Sequence, residues 1–256
     1  MTAGAVLVTG ATQGIGRAVA LALAARGALI TVHGRSPAEA EAVAEEIRTS
    51  GGRSCVIAGD LADPATAVAA VEATHKLGDG HIVGLVNNAG SNVFAGVVDC
   101  DLDTWQRCID VDLRAAWLCL KHAAPHMSEG GAVVNVTSNH AFATIPRGFP
   151  YNVAKAGMQA LTTAASIELS GRGVRVNAVC PGYVDTPGNQ AYFDSFADGR
   201  AARRRVEDLH PLRRIGEPHD IAEAVLFLLD SERSGFVTGS TLLVDGGRSA
   251  LLEDPR

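Results

Sequence analysis

Apolar positions along the chain occur in two alternating patterns. Short runs of four to six residues, rich in Val and Ile, have few polar side chains, whereas longer Ala-rich stretches place apolar residues three and four apart. The short runs predict strands at Ala5–Thr9, Leu29–His33, Ser54–Ala58, Ile82–Asn87, Ala132–Thr137, Arg175–Val179 and Thr241–Val244. The long stretches predict helices near Ile15–Arg26, Pro37–Ser50, Pro64–Leu77, Leu102–His126, Tyr151–Ser170 and His219–Leu229.

The alternation of strands and helices indicates an α/β fold. A strand without an alternating polar face is buried on both sides, as in a parallel sheet covered by helices. We therefore expect a doubly wound parallel sheet of about seven strands, flanked by helices. A length of 256 residues fits one large domain better than two small ones, so residues 1–256 are predicted to form a single domain.

Residues 186–214 interrupt this alternation of strands and helices. The segment is long, polar and bounded by Gly and Pro, and it follows the predicted strand Arg175–Val179. Ligands bind at the carboxyl ends of the strands in an open α/β sheet, so the segment is predicted to be a partly helical substrate lid. An ordinary surface excursion is the alternative interpretation.

Composition and charge argue against several classes of function. The net charge of -6 gives no support to nucleic-acid binding, which requires a basic face. The basic run Arg203–Arg205 is followed by Glu207 and Asp208, which favours a solvated helix face. No apolar run reaches the roughly 20 residues that span a bilayer, and no signal peptide is recognisable. Neither a nucleic acid nor a membrane is therefore expected as a partner.

The cysteines indicate the compartment. There are five of them, an odd number, and none forms a Cys-x-x-Cys pair, which is typical of small buried side chains in a reducing environment. The protein is therefore predicted to be cytoplasmic. Because no cluster of His, Cys and Asp has metal-ligand spacing, no catalytic metal is expected.

Three glycines lie between the first predicted strand and the first predicted helix. Gly10 permits a tight turn, Gly14 lets the backbone approach a pyrophosphate, and Gly16 permits close packing of helix on strand. The helix N-terminus adds free N–H groups and the positive end of a dipole. The pattern predicts a dinucleotide site that contains Thr9, Gly10, Thr12, Gln13, Gly14, Ile15 and Gly16.

The residues after the second predicted strand bear on the choice of cofactor. An Asp or Glu that would accept a hydrogen bond from a ribose 2′-hydroxyl is absent there. Arg35 with Ser36 could bind a 2′-phosphate instead. NADP(H) is therefore favoured, with NAD(H) possible; Arg35 as a solvated loop cation is the alternative. Asp60, after the third strand, could accept a hydrogen bond from the adenine amino group or act as the cap of a short turn.

Tyr151 and Lys155 form a Tyr-x-x-x-Lys pair at the start of a predicted helix. Since four residues span about one helical turn, the phenol and the ammonium project from the same face. A cation beside a phenol favours the phenolate and lowers a pKa that is about 10 when unperturbed. The pair therefore predicts a general acid/base that works near neutral pH.

Five motifs occur in a fixed order along the chain: Thr9–Gly16, Asn87–Gly90, Ser138, Tyr151 with Lys155, and Pro181-Gly182 with Thr186. Together they resemble the short-chain dehydrogenase/reductase family, in the form that has about the length of this chain. The similarity extends to Gly239 and Val244–Gly247, which resemble the family's last strand. It implies a Rossmann-type fold and hydride transfer between a nicotinamide cofactor and a secondary alcohol or ketone.

The resemblance also implies a role for each matching residue. Tyr151 would exchange a proton with the substrate oxygen and Ser138 would hydrogen-bond that oxygen. Lys155 would bind the nicotinamide ribose and keep the Tyr151 pKa low. Ser138 could instead only cap the end of its strand. The remaining predicted cofactor contacts are Leu61, Asn88, Ala89, Gly90, Pro181, Gly182, Val184 and Thr186.

One position departs from the family pattern. Family members usually have Asn where this chain has Asp112, and that Asn completes a tetrad with Ser, Tyr and Lys. In the family this residue mainly supports a water and the Lys through its backbone carbonyl, so Asp could serve there. The carboxylate could also join the proton relay. Asp112 is therefore the fourth catalytic candidate, and activity is expected to survive.

The residues expected to border the substrate are Asn139, His140, Arg147, Phe149, Tyr183, Asn189 and the lid around Tyr192–Phe196. Polar Asn139 and His140 directly after Ser138 favour a hydroxylated small molecule such as a sugar, polyol or hydroxy acid. His140 could equally be a satisfied structural histidine.

Two other functions remain open from the sequence. One is reduction of a 3-oxoacyl thioester, for which Arg203–Arg205 and Arg213-Arg214 could supply a basic patch for an acyl carrier protein. The other is a cofactor-binding regulator without turnover. The presence of Ser138, Tyr151 and Lys155 argues against a regulator, because binding alone needs no proton donor.

Two predicted helices carry more large apolar side chains than one side of a sheet requires. Such helices are usually covered by a partner as well as by the core. Family resemblance points the same way, since relatives pair these helices across a two-fold axis, so a homotetramer, or else a dimer, is expected. The alternative is that all of them fit the monomer core. The residues are Trp105, Ile109, Trp117, Leu118, Leu120, Met158, Leu161, Ile167 and Leu169.

Overall fold

Residues 4–251, which a computed structural model describes, contain one large parallel sheet and one short antiparallel sheet. The strands are β1 Ala5–Val8, β2 Leu29–Gly34, β3 Arg53–Ala58, β4 Ile82–Asn87, β5 Phe94–Ala95, β6 Met127–Val136, β7 Phe149–Pro150, β8 Arg175–Pro181 and β9 Thr241–Val244. The large sheet has seven strands in the order β3-β2-β1-β4-β6-β8-β9. The chain therefore builds outward from β1 in one direction and from β4 in the other, which confirms the predicted doubly wound, Rossmann-type sheet.

The helices follow the predicted alternation. They are α1 Gly14–Ala24, α2 Pro37–Thr49, α3 Pro64–Leu77, α4 Leu102–Ile109, α5 Ala115–Ala123, α6 Tyr151–Ser170, α7 Pro187–Asp194, α8 Gly199–Asp208, α9 Pro218–Leu229 and α10 Ser231–Ser234. Short 3-10 turns lie at Ala124–His126, Asn139–Ala141 and Arg248–Ala250. Helices α2 and α3 begin at Pro, after Ser36 and Asp63 whose side chains accept backbone N–H groups, so both starts are fixed locally.

Two apolar layers cover the sheet. One cluster joins β1, β2 and β6 to α1, α2 and α9, and a second joins β4 and β8 to α3, α5 and α6. The central strands β1, β4 and β8 are almost entirely buried on both faces, as expected of a parallel sheet between helices, whereas the edge strands β3 and β9 are partly exposed. Active-site loops at the carboxyl edge are therefore held by a rigid scaffold.

The long helix expected at Leu102–His126 is divided. A π-helical segment, Asp110–Arg114, joins α4 to α5, and a 3-10 turn follows α5. The extra residue per turn in a π segment locally changes the direction of the side chains, and such segments are frequent at functional sites. Here it contains Asp112, which is buried.

The segment after β8 is partly helical, as expected. Helices α7 and α8 lie within residues 186–214 and pack through Phe193, Ala202 and Ile215. Arg203 of α8 lies 2.7 Å from the Asp185 carboxylate, which ties the segment to the sheet edge. Its role as a lid stays a prediction.

The two ends of the predicted single domain, residues 1–3 and 252–256, lie outside residues 4–251, which the structure describes. No described helix is long and apolar enough to cross a membrane. Within the same residues, no group of three or more His, Cys, Asp or Glu side chains could hold a metal ion. All five cysteines are free thiols, and three of them are buried.

Candidate active site

A cavity of about 500 Å³ opens at the carboxyl edge of the sheet, across the switch point between β1 and β4. Most of the predicted site residues line it: Gly10, Thr12, Gln13, Gly14, Ile15, Arg35, Asp60, Leu61, Asn88, Ala89, Gly90, Asp112, Ser138, Tyr151, Lys155, Pro181, Gly182, Val184, Thr186 and Asn189. The cavity extends from the glycine turn to the Tyr151 pair. Its dimensions suit an extended ligand with its phosphates at the turn.

The glycine turn forms a cradle that side chains would fill. Gly10 and Gly14 have φ of 63° and 52°, the left-handed region that favours glycine. A Cβ at Gly16 would collide with the Gly10 carbonyl oxygen, so this glycine lets α1 approach the turn. The cradle therefore fits a pyrophosphate at the N-terminus of α1.

Thr9 and Asn88 hold the turn from behind. The Thr9 hydroxyl accepts the N–H groups of Asn88 and Ala89, both at 3.0 Å. The Asn88 side-chain amide donates to the carbonyl oxygens of Thr9 and Gly10, also at 3.0 Å. Thr9 and Gly16 do not line the cavity, so the structure places them as supports of the turn.

The end of the cavity next to β2 and β3 contains two arginines. Arg35 lines it, whereas Ser36 caps α2 by accepting the Glu39 N–H and is not in the lining. Arg107 of α4, which the sequence analysis missed, lies 2.7 Å from the Asp60 carboxylate. Asp60 also accepts the Ala62 N–H, so its predicted role as a turn cap is present.

Charge at this end is fixed by these contacts. Partial burial raises the pKa of Asp60, but the Ala62 N–H and the Arg107 guanidinium together hold it below its usual value. Asp60 is therefore an ionised hydrogen-bond acceptor. No local sequence pattern indicates Arg107, because its partner Asp60 is distant from it in the chain.

The opposite end of the cavity contains the predicted catalytic residues. Tyr151 and Lys155 lie on the first turns of α6, and Ser138 follows the end of β6. Lys155 Nζ donates to the Val136 carbonyl oxygen at 3.3 Å and lies 5.5 Å from the centre of the Tyr151 ring. All three predicted catalytic side chains are buried. Ser138 also accepts the His140 N–H, so it caps a 3-10 turn as well.

Asp112 contributes its side chain directly. Its Oδ1 lies 3.5 Å from Lys155 Nζ. The carboxylate also accepts the Ser91 N–H and, at 2.8 Å, the Ser91 hydroxyl. The departure from the family's Asn therefore creates a buried ion pair with Lys155. Ser91 was missed by the sequence analysis, although it directly follows the Asn87–Gly90 motif.

Burial and charge oppose each other at Tyr151 and Lys155. Burial raises the pKa of Tyr151 above its usual value, and the Lys155 ammonium and the Ser138 hydroxyl only partly offset this. The prediction that the pKa of Tyr151 is lowered overall by Lys155 is therefore wrong. Burial and the Asp112 charge raise this pKa by more than the Lys155 ammonium lowers it. At Lys155, burial lowers the pKa, but the Tyr151 and Asp112 charges together raise it above its usual value.

Two aromatic rings pack against Tyr151. The rings of Phe94 and His140 meet the Tyr151 ring edge-on, with centroid distances of 5.4 and 5.6 Å. His140 Nδ1 lies 2.9 Å from the Thr144 hydroxyl, and burial lowers the pKa of His140, so the ring is neutral at pH 7. Asn139 contacts Ser138. Phe94 was missed by the sequence analysis because β5 has only two residues, too few to show a periodic pattern.

Other predicted substrate residues lie elsewhere. Arg147 forms an exposed ion pair with Asp99, and Tyr183 stacks on Phe193 of α7, which is part of the lid segment. Phe149 stacks on Trp105 at 5.3 Å. Asn139, His140, Arg147 and Tyr183 do not line the described cavity.

Sequence comparison relates the chain to known proteins. A family model described as "Enoyl-(Acyl carrier protein) reductase" matches residues 10–249. The chain is 38% identical to the cis-4-hydroxycyclohexanecarboxylate dehydrogenase of Sinomonas cyclohexanicum, with 96% of each chain covered. It is 36% identical to the L-rhamnose 1-dehydrogenase (NAD(P)(+)) of Sphingomonas sp. (strain SKA58), with 94% of each covered.

Structural comparison agrees. The short-chain dehydrogenase/reductase from Serratia marcescens BCRC 10948 superposes with a TM-score of 0.88 at 32% identity. The match covers 96% of this chain and 98% of that one. The strand order of this chain is that of a doubly wound sheet. The glycine cradle and the buried Tyr151–Lys155 pair lie in one cleft. The chain belongs to the short-chain dehydrogenase/reductase family and is an oxidoreductase with the Rossmann fold.

Proposed function

We propose that the protein is an NADP(H)-dependent oxidoreductase that acts on a secondary alcohol or the corresponding ketone. The observation that carries this proposal is the convergence of Ser138, Tyr151 and Lys155 at one end of a cleft whose other end is the glycine cradle. When bound, the nicotinamide ring supplies or accepts the hydride. The residues present fit such a group, because glycines leave space and free N–H groups where its pyrophosphate would lie.

The chain's own residues would manage the proton. Tyr151 donates its phenolic proton to the carbonyl oxygen during reduction and takes it back during oxidation, while Ser138 donates a hydrogen bond to the same oxygen. Lys155 would stabilise the phenolate electrostatically and would hold the ribose hydroxyls of a bound nicotinamide cofactor. Asp112 holds Lys155 in place through the ion pair at 3.5 Å. Burial keeps water from competing for these groups.

Arg35 supports the preference for NADP(H). It lines the cavity just after β2, where a 2′-phosphate of the adenosine ribose would lie, and a guanidinium binds phosphate bidentately. The relative from Sphingomonas has NAD(P)(+) in its name, which is compatible with either cofactor.

Replacement of Arg35 by Ala should therefore weaken NADP(H) binding by roughly tenfold or more and leave NAD(H) binding nearly unchanged, because only the 2′-phosphate loses a charge-assisted partner. Isothermal titration with both cofactors measures the effect. Arg53→Ala, at an exposed position at the start of β3, is the matched control. Equal losses of affinity for the two cofactors would show that Arg35 does not bind the 2′-phosphate.

The proposed substrate is a hydroxylated small molecule, in particular a ring that carries a secondary alcohol. Asn189 lines the cavity and offers a polar group to such a ring, and Phe94 and His140, outside the lining, meet the Tyr151 ring edge-on and form an aromatic border beside it. Both compared dehydrogenases are named for hydroxylated compounds, a hydroxycyclohexanecarboxylate and rhamnose.

Reduction of a 3-oxoacyl thioester is less well supported. Arg203 pairs with Asp185 and Glu207, Arg213 with Asp208, and Arg214 with Asp220. These pairs neutralise much of the basic patch that an acyl carrier protein would need. A regulator without turnover is disfavoured by the assembled proton donor.

An activity panel tests the proposed function. Sugars, polyols, cyclic hydroxy acids and 3-oxoacyl thioesters are assayed with NADP(H) and NAD(H) by absorbance of the reduced nicotinamide. Turnover of a hydroxylated compound with preference for NADP(H) supports the proposal. Turnover confined to thioesters would favour the acyl-carrier alternative, and cofactor binding without any turnover would favour the regulator.

We also propose a homotetramer. Trp117 on α5 and Ile167 on α6 are 44% and 71% exposed, whereas Leu118, Leu120 and Met158 are buried within the monomer. Each of the two helices therefore leaves a large apolar side chain exposed that a second copy would cover. A cytoplasmic location is proposed with it, supported by the five free thiols, and residues 1–256 are proposed to form one domain.

Light scattering at micromolar concentration should give about four times the single-chain mass of 26.5 kDa. Ile167→Glu should dissociate the assembly, because a charge would be buried in the covered face. Val98→Glu, at a site that is 94% exposed and lies outside these helices, should leave it intact. A wild-type mass near that of one chain would contradict the proposal.

A further inference from the structure

His33 of β2 has both ring nitrogens engaged within the core. The side chain is 2% exposed. Its Nδ1 accepts the Gly10 backbone N–H at 3.2 Å, and its Nε2 lies 3.2 Å from the Gly59 carbonyl oxygen. Because an amide N–H only donates and a carbonyl only accepts, these partners require a neutral ring with its proton on Nε2.

These two contacts join three strand ends around the cofactor cradle. Gly10 begins the turn after β1, Gly59 follows β3, and His33 lies between them on β2 and lines the cavity. The His33 carbonyl oxygen also accepts the Ala11 N–H at 2.8 Å. Main chain and side chain of one residue therefore fix two consecutive N–H groups of the turn. Gly10 itself has a left-handed φ of 63°.

We propose that neutral His33 is a positioning residue of the dinucleotide site, which holds the glycine turn in the conformation that receives the cofactor pyrophosphate. The inference rests on the proposed use of a nicotinamide dinucleotide. Protonation of the ring would place an N–H group on Nδ1 against the Gly10 N–H. Two donors repel each other, so the turn would lose its anchor and the affinity for the dinucleotide would fall.

The surroundings favour the neutral ring. Burial lowers the pKa of His33 below its usual 6.5, and the Gly59 carbonyl and the Asp60 charge only partly offset this. Asp60 is itself paired with Arg107 of α4, and Arg35 follows two residues after His33. Because the folded-state pKa is depressed, the anchor is complete above pH 6.5 and is lost as pH falls through the lower folded-state value.

The test measures the affinity for NAD+ by isothermal titration between pH 8 and pH 5. NAD+ is used because its pyrophosphate does not titrate in this range, whereas the 2′-phosphate of NADP+ does. His33→Asn keeps an acceptor near the position of Nδ1 but cannot be protonated there. His33→Leu removes both contacts. Circular dichroism at each pH verifies that the wild type and both variants are folded.

We expect wild-type affinity to fall as the pH drops below 6.5, by up to roughly tenfold once the ring is protonated, as one hydrogen-bonded anchor is lost. His33→Asn should bind within about threefold of the wild type at pH 8 and change little on acidification. His33→Leu should bind weakly at every pH. The Asn profile decides the question even if the Leu variant does not fold.

Parallel pH profiles for the wild type and His33→Asn would overturn the inference, as would wild-type affinity in a folded His33→Leu. Failure of the proposed function has a different signature. In that case the wild type would bind neither NAD+ nor NADP+ at pH 8, and the inference would fall with it.

Discussion

Tyr151→Phe should lower turnover by at least about 10²-fold and leave the affinity for the cofactor nearly unchanged. The substitution removes the exchangeable proton but keeps the ring that packs edge-on against Phe94 and His140. Because the shape of the pocket is preserved, the loss would report the proton transfer itself. Steady-state kinetics on the best substrate of the activity panel, with cofactor binding by titration, measures both quantities.

Thr163→Val is the control for the loss of a hydroxyl from the same helix, since Thr163 is exposed on α6 and does not line the cavity. It should retain wild-type turnover. In the wild type, alcohol oxidation needs the phenolate, so its rate should increase with pH towards the raised pKa of Tyr151. Turnover of Tyr151→Phe close to that of the wild type would remove Tyr151 from the proposed mechanism.

Lys155→Met should affect both stability and catalysis. The Asp112 carboxylate is buried and lies 3.5 Å from Lys155 Nζ, so removal of the ammonium leaves a buried charge without its cation. Breaking such a pair typically lowers the free energy of unfolding by about 3 kcal/mol. Turnover should fall by at least about 10²-fold, because the phenolate of Tyr151 loses its electrostatic support. Denaturant unfolding and steady-state kinetics measure the two losses.

A second substitution separates these effects. In the double variant Asp112→Asn with Lys155→Met, the buried carboxylate is gone, so most of the lost stability should return. Turnover should stay low because the ammonium is still absent. Asp112→Asn alone, which has the family's usual residue, is the active control. Recovery of turnover in the double variant would show that Lys155 acts only through the fold.

Local features of the sequence predicted much of the fold. The predicted bounds of α3, α6, β4 and β9 coincide with the observed ones, and α2 differs only at its last residue. Pro at the first helical position and a capping Ser or Asp before it fix the starts of α2 and α3 within a few residues of chain. β6 is an exception, because it begins at Met127, five residues before the apolar run that predicted it.

The sequence predicted those parts of the candidate site that are formed by residues close together in the chain. Tyr151 and Lys155 share one helix, and the glycine turn spans consecutive residues, so spacing alone brings these groups together. Arg147 and Tyr183 were predicted from their position in the chain but face Asp99 and Phe193 instead. Loop side chains follow the partners available to them, and the sequence pattern does not specify those partners.

The sequence by itself determined the alternation of strands and helices, the glycine cradle and the residues of the proton-transfer pair. The tertiary structure decided which charges meet and how deeply they are buried. It pairs Asp112 with Lys155, engages both nitrogens of His33, and raises the pKa of Tyr151 where spacing alone suggested the opposite. The reason is physical: desolvation and long-range hydrogen bonds depend on groups distant in the chain, and they outweigh the contribution of a single neighbouring ammonium.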